Sequence, residues 1–310
     1  MPAVVNRNVV AAEPPTPLNR PSIESAKMMR ALSLIALLAC VPALVWAQNS
    51  LDPRCTQQQG PQACVDWNAG VAIAVGMGAP ATWAKTPAQK NISATRAARL
   101  DAARNLLEAI KGINLTASTN VQGAMVANDT IQTSITGRLN GIRPIENPRY
   151  FSDGSVQVKL EANLRELLPE NLYTQDGPPR EIAGPYGSPA GSVVSTGGAY
   201  TGLIIDARGT GVQPAMSPKV YDPQEREVYG SAYVSREFAV SQGMVGYAKS
   251  MEQARQSDRV QGNPAVVKAV EAKGANKADL VLSQADADAL RTLAQQQTFL
   301  REARVMVVLD

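Results

Sequence analysis

The chain has 310 residues, enough for one large or two ordinary domains, with 45% hydrophobic but only 5% aromatic residues. It contains no histidine, which excludes His-based triads, His metal ligands and the commonest general acid/base. The formal charge of +3 leaves no basic surplus of the kind that nucleic-acid binding requires.

Residues 1–27 hold Glu-Pro-Pro-Thr-Pro and no apolar period, and are read as disordered leader or a misassigned start, with Met28 or Met29 as the true one. Residues 28–47 have the form of a signal peptide. Lys27 and Arg30 supply the basic flank, and Ala31–Trp46 is an apolar run too short to span a bilayer comfortably. Val45-Trp46-Ala47 fits a cleavage site between Ala47 and Gln48. A rival reading takes Leu37-Leu38-Ala39-Cys40 as a lipobox, with Cys40 lipidated. Soluble cleavage is preferred, because the lipobox cut leaves a short apolar core. Removing residues 1–47 takes away four basic and two acidic residues, and the charge falls to +1.

Residues 48–64 form an N-terminal segment. After cleavage at Ala47 the two remaining cysteines, Cys55 and Cys64, are an even pair in an oxidising compartment. A disulfide between them would stabilise by roughly 2–3 kcal/mol.

Residues 65–168 read as a first α+β domain. Ala69–Ala79 alternates like a strand. A helix follows, with Leu100, Ala103, Leu107 and Ile110 as its apolar stripe, widened by Ala97 and Leu106. Asp101, Arg104, Asn105, Glu108 and Lys111 fall on the opposite face, toward water, and Gly112 takes the place of a left-handed C-cap. Leu115–Val126 is expected as a second strand. Asp129 caps a short helix carrying Ile131, Ile135 and Leu139, which stops at Asn140-Gly141. Arg143–Phe151 and Ser155–Leu164 flank Ser152-Asp153-Gly154 as a hairpin, the second arm turning Val156, Val158, Leu160, Ala162 and Leu164 inward.

Residues 169–199 concentrate Pro, Gly and Ser and are read as a linker. Residues 200–310 make a second α+β domain. Its expected elements are a buried strand at Leu203–Ile205, a hairpin around Asp222-Pro223, and a short helix over Tyr247–Gln256. A strand pair over Pro264–Gly274 and Ala278–Ser283 follows. A helix capped by Ser283 with Asp286 buries Ala287, Leu290 and Leu293, and a terminal strand sits inside the sheet. The expected fold is α+β: two small two-layer domains, each a mostly antiparallel sheet covered by one or two helices.

The most site-like stretch is Asp206-Ala207-Arg208-Gly209-Thr210-Gly211, an acid, a base and two glycines at a strand end. It lacks the phosphate-loop and dinucleotide spacings, so a turn with Arg208 paired to a carboxylate is the simpler reading. Asp279, Asp286 and Asp288 lack the spacing of a calcium loop, and helix capping accounts for them better. Tyr221, Tyr229, Tyr233 and Tyr247 suit either an interface or a core. No catalytic, cofactor-binding or metal-ligating residue is expected.

Ala-Val-Gly-Met-Gly-Ala, the Ala/Arg-rich helix ending in a glycine, and the strand Ser-Val-Gln-Val-Lys-Leu together resemble two bacterial envelope groups. These are the twenty-kilodalton surface lipoprotein family (Lpp-twenty) and the N-terminal domain of the flagellar H-ring assembly protein. The resemblance covers residues 65–168. It implies a non-enzymatic periplasmic or outer-membrane-associated protein that works through contacts with envelope proteins, with itself or with flagellar ring components. The alternative is a ligand-binding module or enzyme with its site near Asp206 and Arg208.

Overall fold

A computed structural model describes residues 51–139, 142, 144–182, 184 and 199–310. Cys40, Ala47, Gln48 and the signal-peptide and leader assignments therefore lie outside the described residues, as do Asn140-Gly141 and residues 183 and 185–198 of the Pro/Gly/Ser stretch. The chain is α+β, with two sheets.

The first sheet is antiparallel throughout, in the order β1-β2-β3-β5-β4. Its strands are β1 (Gln57–Gln58), β2 (Ala63–Asp66), β3 (Val71–Gly78), β4 (Arg149–Tyr150) and β5 (Val156–Asn163). One long helix, α1 (Pro87–Lys111), lies across it. Thr86 caps α1 by accepting from the Gln89 N–H, and the Gln89 side chain returns to the Thr86 N–H, a reciprocal capping box.

The face of α1 that meets the sheet is Ala94, Ala98, Ala102, Leu106, Ala109 and Ile110, about one position round from the expected stripe. Leu100 is exposed, and Ala97, Ala103 and Leu107 are only partly buried. The strand beneath decides this. A Cβ at Gly76 would sit 2.0 Å from the Ala102 nitrogen, and one at Gly78 would sit 2.2 Å from the Ala94 carbonyl oxygen. Only an alanine face can approach a glycine strand that closely, so small residues win the contact from the larger leucines.

Two residues expected in water belong to the same contact. β3 outruns β2, and α1 serves the backbone groups left free on that side. The Met77 N–H donates to the Asp101 carboxylate at 2.9 Å, and Asn105 Nδ2 donates to the Val75 carbonyl at 2.8 Å. Gly112 is not left-handed; its φ of −75° continues the helix, and its N–H bonds back to Glu108 and Ile110.

The expected strand at Leu115–Val126 is instead a tight turn and a helix, α2 (Val121–Ala127). Leu115 and Thr116 N–H groups both donate to the Thr119 carbonyl, and Asn120 Oδ1 caps the helix at the Gly123 N–H. Val121, Ala124 and Met125 are then buried at helical spacing. Next is α3 (Asp129–Leu139), burying Ile135 and Leu139; its first turn is capped by Asn128, whose Oδ1 accepts from Thr130, rather than by Asp129. The β4–β5 hairpin forms as expected, with strict alternation along β5. A short helix, α4 (Leu164–Leu167), and a 3-10 turn at Glu170–Leu172 close this half.

The second sheet runs β8-β7-β11-β10-β6-β12-β9. Its strands are β6 (Gly202–Asp206), β7 (Val220–Tyr221), β8 (Glu227–Tyr229), β9 (Gly246–Ala248), β10 (Pro264–Lys273), β11 (Asp279–Leu282) and β12 (Val305–Val308). The β7–β8 and β10–β11 pairs are antiparallel as expected, but β6–β10, β6–β12, β9–β12 and β7–β11 are parallel. Burial on both faces explains this departure. Leu203, Ile205, Val305 and Val307 enter the main core, whereas Ile204, Met306 and Val308 pack with Ala254 and Val260 on the other side. Continuous apolar runs of this kind are what parallel strands require.

Helices α5 (Arg236–Gln242), α6 (Met251–Gln256) and α7 (Gln284–Gln296) complete the half. The expected helix over Tyr247–Gln256 is split, because Gly246–Ala248 pairs with β12 and only then does Ser250 cap α6. α7 matches its expectation: Ser283 accepts from the Asp286 N–H, and Ala287, Leu290 and Leu293 are buried.

Residues 51–310 form one compact unit, and a seam joins the sheets. Met216 and Ser217 N–H groups donate to the Asn114 and Leu115 carbonyls, and Asn276 N–H donates to that of Ala117. The Trp67 ring meets Tyr247 edge-on at 5.4 Å.

Candidate interaction surface and charged clusters

Among the described residues four strands form sheet edges, and they differ in how open they are. At β1 the Gln57 side chain is engaged by Trp67 Nε1 at 2.7 Å and reaches Gln213 in the second half. In β8 Val228 and Tyr229 are buried, and all of β9 is buried. Both residues of β4 are exposed. Around it lie Tyr150 (56% exposed), Phe151 (36%) and Ile145 (43%), with the Arg149 guanidinium 5.4 Å above the Phe151 ring.

The turn that follows this edge is closed by hydrogen bonds. The Phe151 N–H donates to the Ser155 carbonyl and the Gly154 N–H to that of Phe151, with Gly154 at φ +83°. Asp153 Oδ1 accepts from both the Ser155 N–H and its hydroxyl, which holds the Asp153 carboxyl below its ordinary range. β4 offers only two residues of free edge, Arg149 and Tyr150, so a partner docking here would be held chiefly by the exposed side chains of Tyr150, Phe151 and Ile145.

The disulfide pair is joined: Cys55 and Cys64 are bonded, with Cα atoms 5.7 Å apart. The bond ties the N-terminal segment to the outer face of the first sheet, where Leu51 and Cys55 pack on Cys64, Val71 and Ile73. Asp52 is buried there, bonded to Arg54 and 3.4 Å from Lys159, and Arg54 also reaches Glu161 at 2.8 Å. The hydrogen bond from Arg54 holds the Asp52 carboxyl down at about 2.

Asp206 and Arg208 pair with each other. Arg208 Nε and Nη2 donate to the two Asp206 oxygens at 2.8 and 2.7 Å, which lowers the Asp206 pKa and raises that of Arg208. The turn is closed by Gly209 N–H on the Asp310 carboxylate and Thr210 Oγ1 on the Ala207 carbonyl. Neither residue lines the cleft of about 370 Å³ beside Arg259.

The three other aspartates separate. Asp279 accepts from the Lys219 N–H, with burial pushing its pKa up, and Asp286 sits in the α7 cap. Asp288 joins a buried cluster in which Arg291 bridges it (3.1 Å) to Asp222 (2.8 Å), and Arg226 meets Asp222 from outside. That cluster clamps α7 to the β7–β8 turn. Tyr229 and Tyr247 are core residues: Tyr229 donates to the Met244 carbonyl and Tyr247 to that of Ala215, and burial raises both hydroxyl pKa values. Tyr221 and Tyr233 are partly exposed.

Composition did not single out Tyr150 or Phe151, because two aromatics before an Asp-Gly turn read only as the end of a strand. Asp222 is readable as a turn residue, but its cluster with Arg226 and Arg291 is not, because Arg291 lies 69 positions further along the chain.

Residues 202–310 match a family model described as Treponema pallidum Tp0624, second domain. The match begins at β6 and spans the second sheet up to the last residue. No curated protein matches the chain.

Proposed function

We propose that this is a non-enzymatic, exported bacterial envelope protein with a structural or assembly role, acting through protein–protein contacts. Its setting in this reading is the periplasm or the outer membrane, with flagellar basal-body rings as the specific assembly. The observation that carries the reading is the open β4 edge with Tyr150 and Phe151 exposed beside it. Strand-edge pairing between copies, or with a ring component, would cover both the free backbone groups and the aromatics. The signal-peptide pattern and the Lpp-twenty resemblance of residues 65–168 support the same setting. The ligand-binding alternative finds the charges of Asp206 and Arg208 engaged with each other.

Fractionation tests the reading. Basal bodies and envelope fractions from the native organism are searched by mass spectrometry for peptides of residues 90–310. Enrichment comparable to known ring components supports the flagellar assembly role. Recovery only in cytoplasmic fractions would overturn the envelope reading altogether.

A further inference from the structure

Helix α1 carries two apolar stripes. The inner one meets Gly76 and Gly78; the outer one runs through Ile92, Leu100, Ala103 and Leu107 on the side away from the sheet. Ala103 and Leu107 are partly buried against the core, but Ile92 and Leu100 are 55% and 63% exposed. Between them, four residues from each, lies exposed Arg96. The loop before the helix carries Trp83, 65% exposed, and is tied to α1 by the Ala81 N–H, which donates to Ser93 Oγ at 3.0 Å.

The charged side chains of this segment have one sign: Arg96 lies on the Ile92–Leu100 face, Lys90 falls about 120° round the helix from it, and Arg99 donates to the Ile142 carbonyl. From Ala79 to Leu100 there are four cations, Lys85, Lys90, Arg96 and Arg99, all exposed, and no acid. The first turn of α1 likewise has no acidic residue. A helix N-terminus carries a partial positive charge, and with no acid in its first turn this end of α1 stays electropositive. Two copies meeting through this face would bring like charges together. Exposed Trp, Ile and Leu set among Lys and Arg match a bilayer interface, where cationic heads meet headgroups and the apolar side chains enter below them.

We propose that the outward face of the first half of α1, together with Trp83, docks on an anionic lipid surface. The inference rests on the envelope reading only for access to a bilayer.

Flotation of the full chain with vesicles of phosphatidylcholine, alone or mixed with phosphatidylglycerol, tests it. Binding to the mixed vesicles should be at least about tenfold stronger and should weaken with added salt. Lys90→Glu with Arg96→Glu should reduce it to the phosphatidylcholine level, and Trp83→Ser with Leu100→Ser should weaken it about tenfold. All four side chains are exposed, and circular dichroism confirms that the variants fold. Equal binding of the wild type and the charge-reversed variant, or no preference for phosphatidylglycerol, overturns the proposal. Soluble poly-glutamate provides a parallel arm. If it binds as tightly as vesicles and the Trp83/Leu100 variant keeps full vesicle affinity, the face recognises an acidic polymer and the lipid assignment falls. Sedimentation of the same variants reports self-association separately, so failure here leaves the β4 assembly reading standing.

Discussion

Gly76 and Gly78 set the distance between the first sheet and its helix, because there a side chain would meet helix backbone rather than flexible atoms. Gly76→Ala should therefore cost about 2–3 kcal/mol in urea unfolding, as overpacking forces α1 outward; a change within about 0.5 kcal/mol, the range of an ordinary surface substitution, would contradict the close approach. Asp52 makes a second residue-scale prediction. Its folded pKa, held at about 2 by Arg54, lies below the ordinary 3.8, so its stabilisation is present above pH 3.8 and is lost as pH falls toward 2. Asp52→Asn should cost about 1–2 kcal/mol at pH 7, allowing for the half-exposed Arg54, and the gap from wild type should shrink by at least half at pH 2. A gap independent of pH would exclude the ion pair as its source. The AVGMGA stretch was readable as a strand, but the reason for its glycines was not, since it lies in a helix that begins nine residues later.

At the scale of elements, the sequence was most legible where a cap, a period and a turn agreed. α7, with Ser283 before Ala287, Leu290 and Leu293, and the β4–β5 hairpin around Asp153-Gly154 both formed as expected. The helical period of α1 is readable but its buried face is not, because the leucine stripe is the more apolar one and only the glycine strand beneath selects the alanines. α2 was missed because Thr, Val and Ala favour strands locally, whereas Asn120 and the Thr119 turn start a helix. The parallel pairings of the second sheet depend on α6 covering its far face, which no local pattern records. The Asp222–Arg291–Asp288 clamp belongs to this scale too. Arg291→Ala should destabilise by about 3 kcal/mol, since it leaves two buried carboxylates short of their cation. A loss below about 1 kcal/mol, no more than an exposed pair gives, would mean that α7 is held by its apolar face alone.

For the whole molecule, the seam through Asn114–Ala117 and the Trp67–Tyr247 contact join the two sheets, and β4 is left as the open edge. The overall α+β class and the placing of the terminal strand inside a sheet were legible from apolar density. The candidate surface was not, because exposure of Tyr150 and Phe151 depends on β4 having no further neighbour among the described residues. Edge pairing through β4 is tested by sedimentation velocity of the wild type against Tyr150→Glu with Phe151→Glu, over a range of concentrations and with the basal-body fraction of the native organism added. Pairing through this edge gives concentration-dependent assembly, or partner binding, that the double variant weakens at least about tenfold while its unfolding midpoint stays near that of the wild type. A wild type that stays monomeric and unbound throughout, or a variant that assembles as well as the wild type, would contradict it.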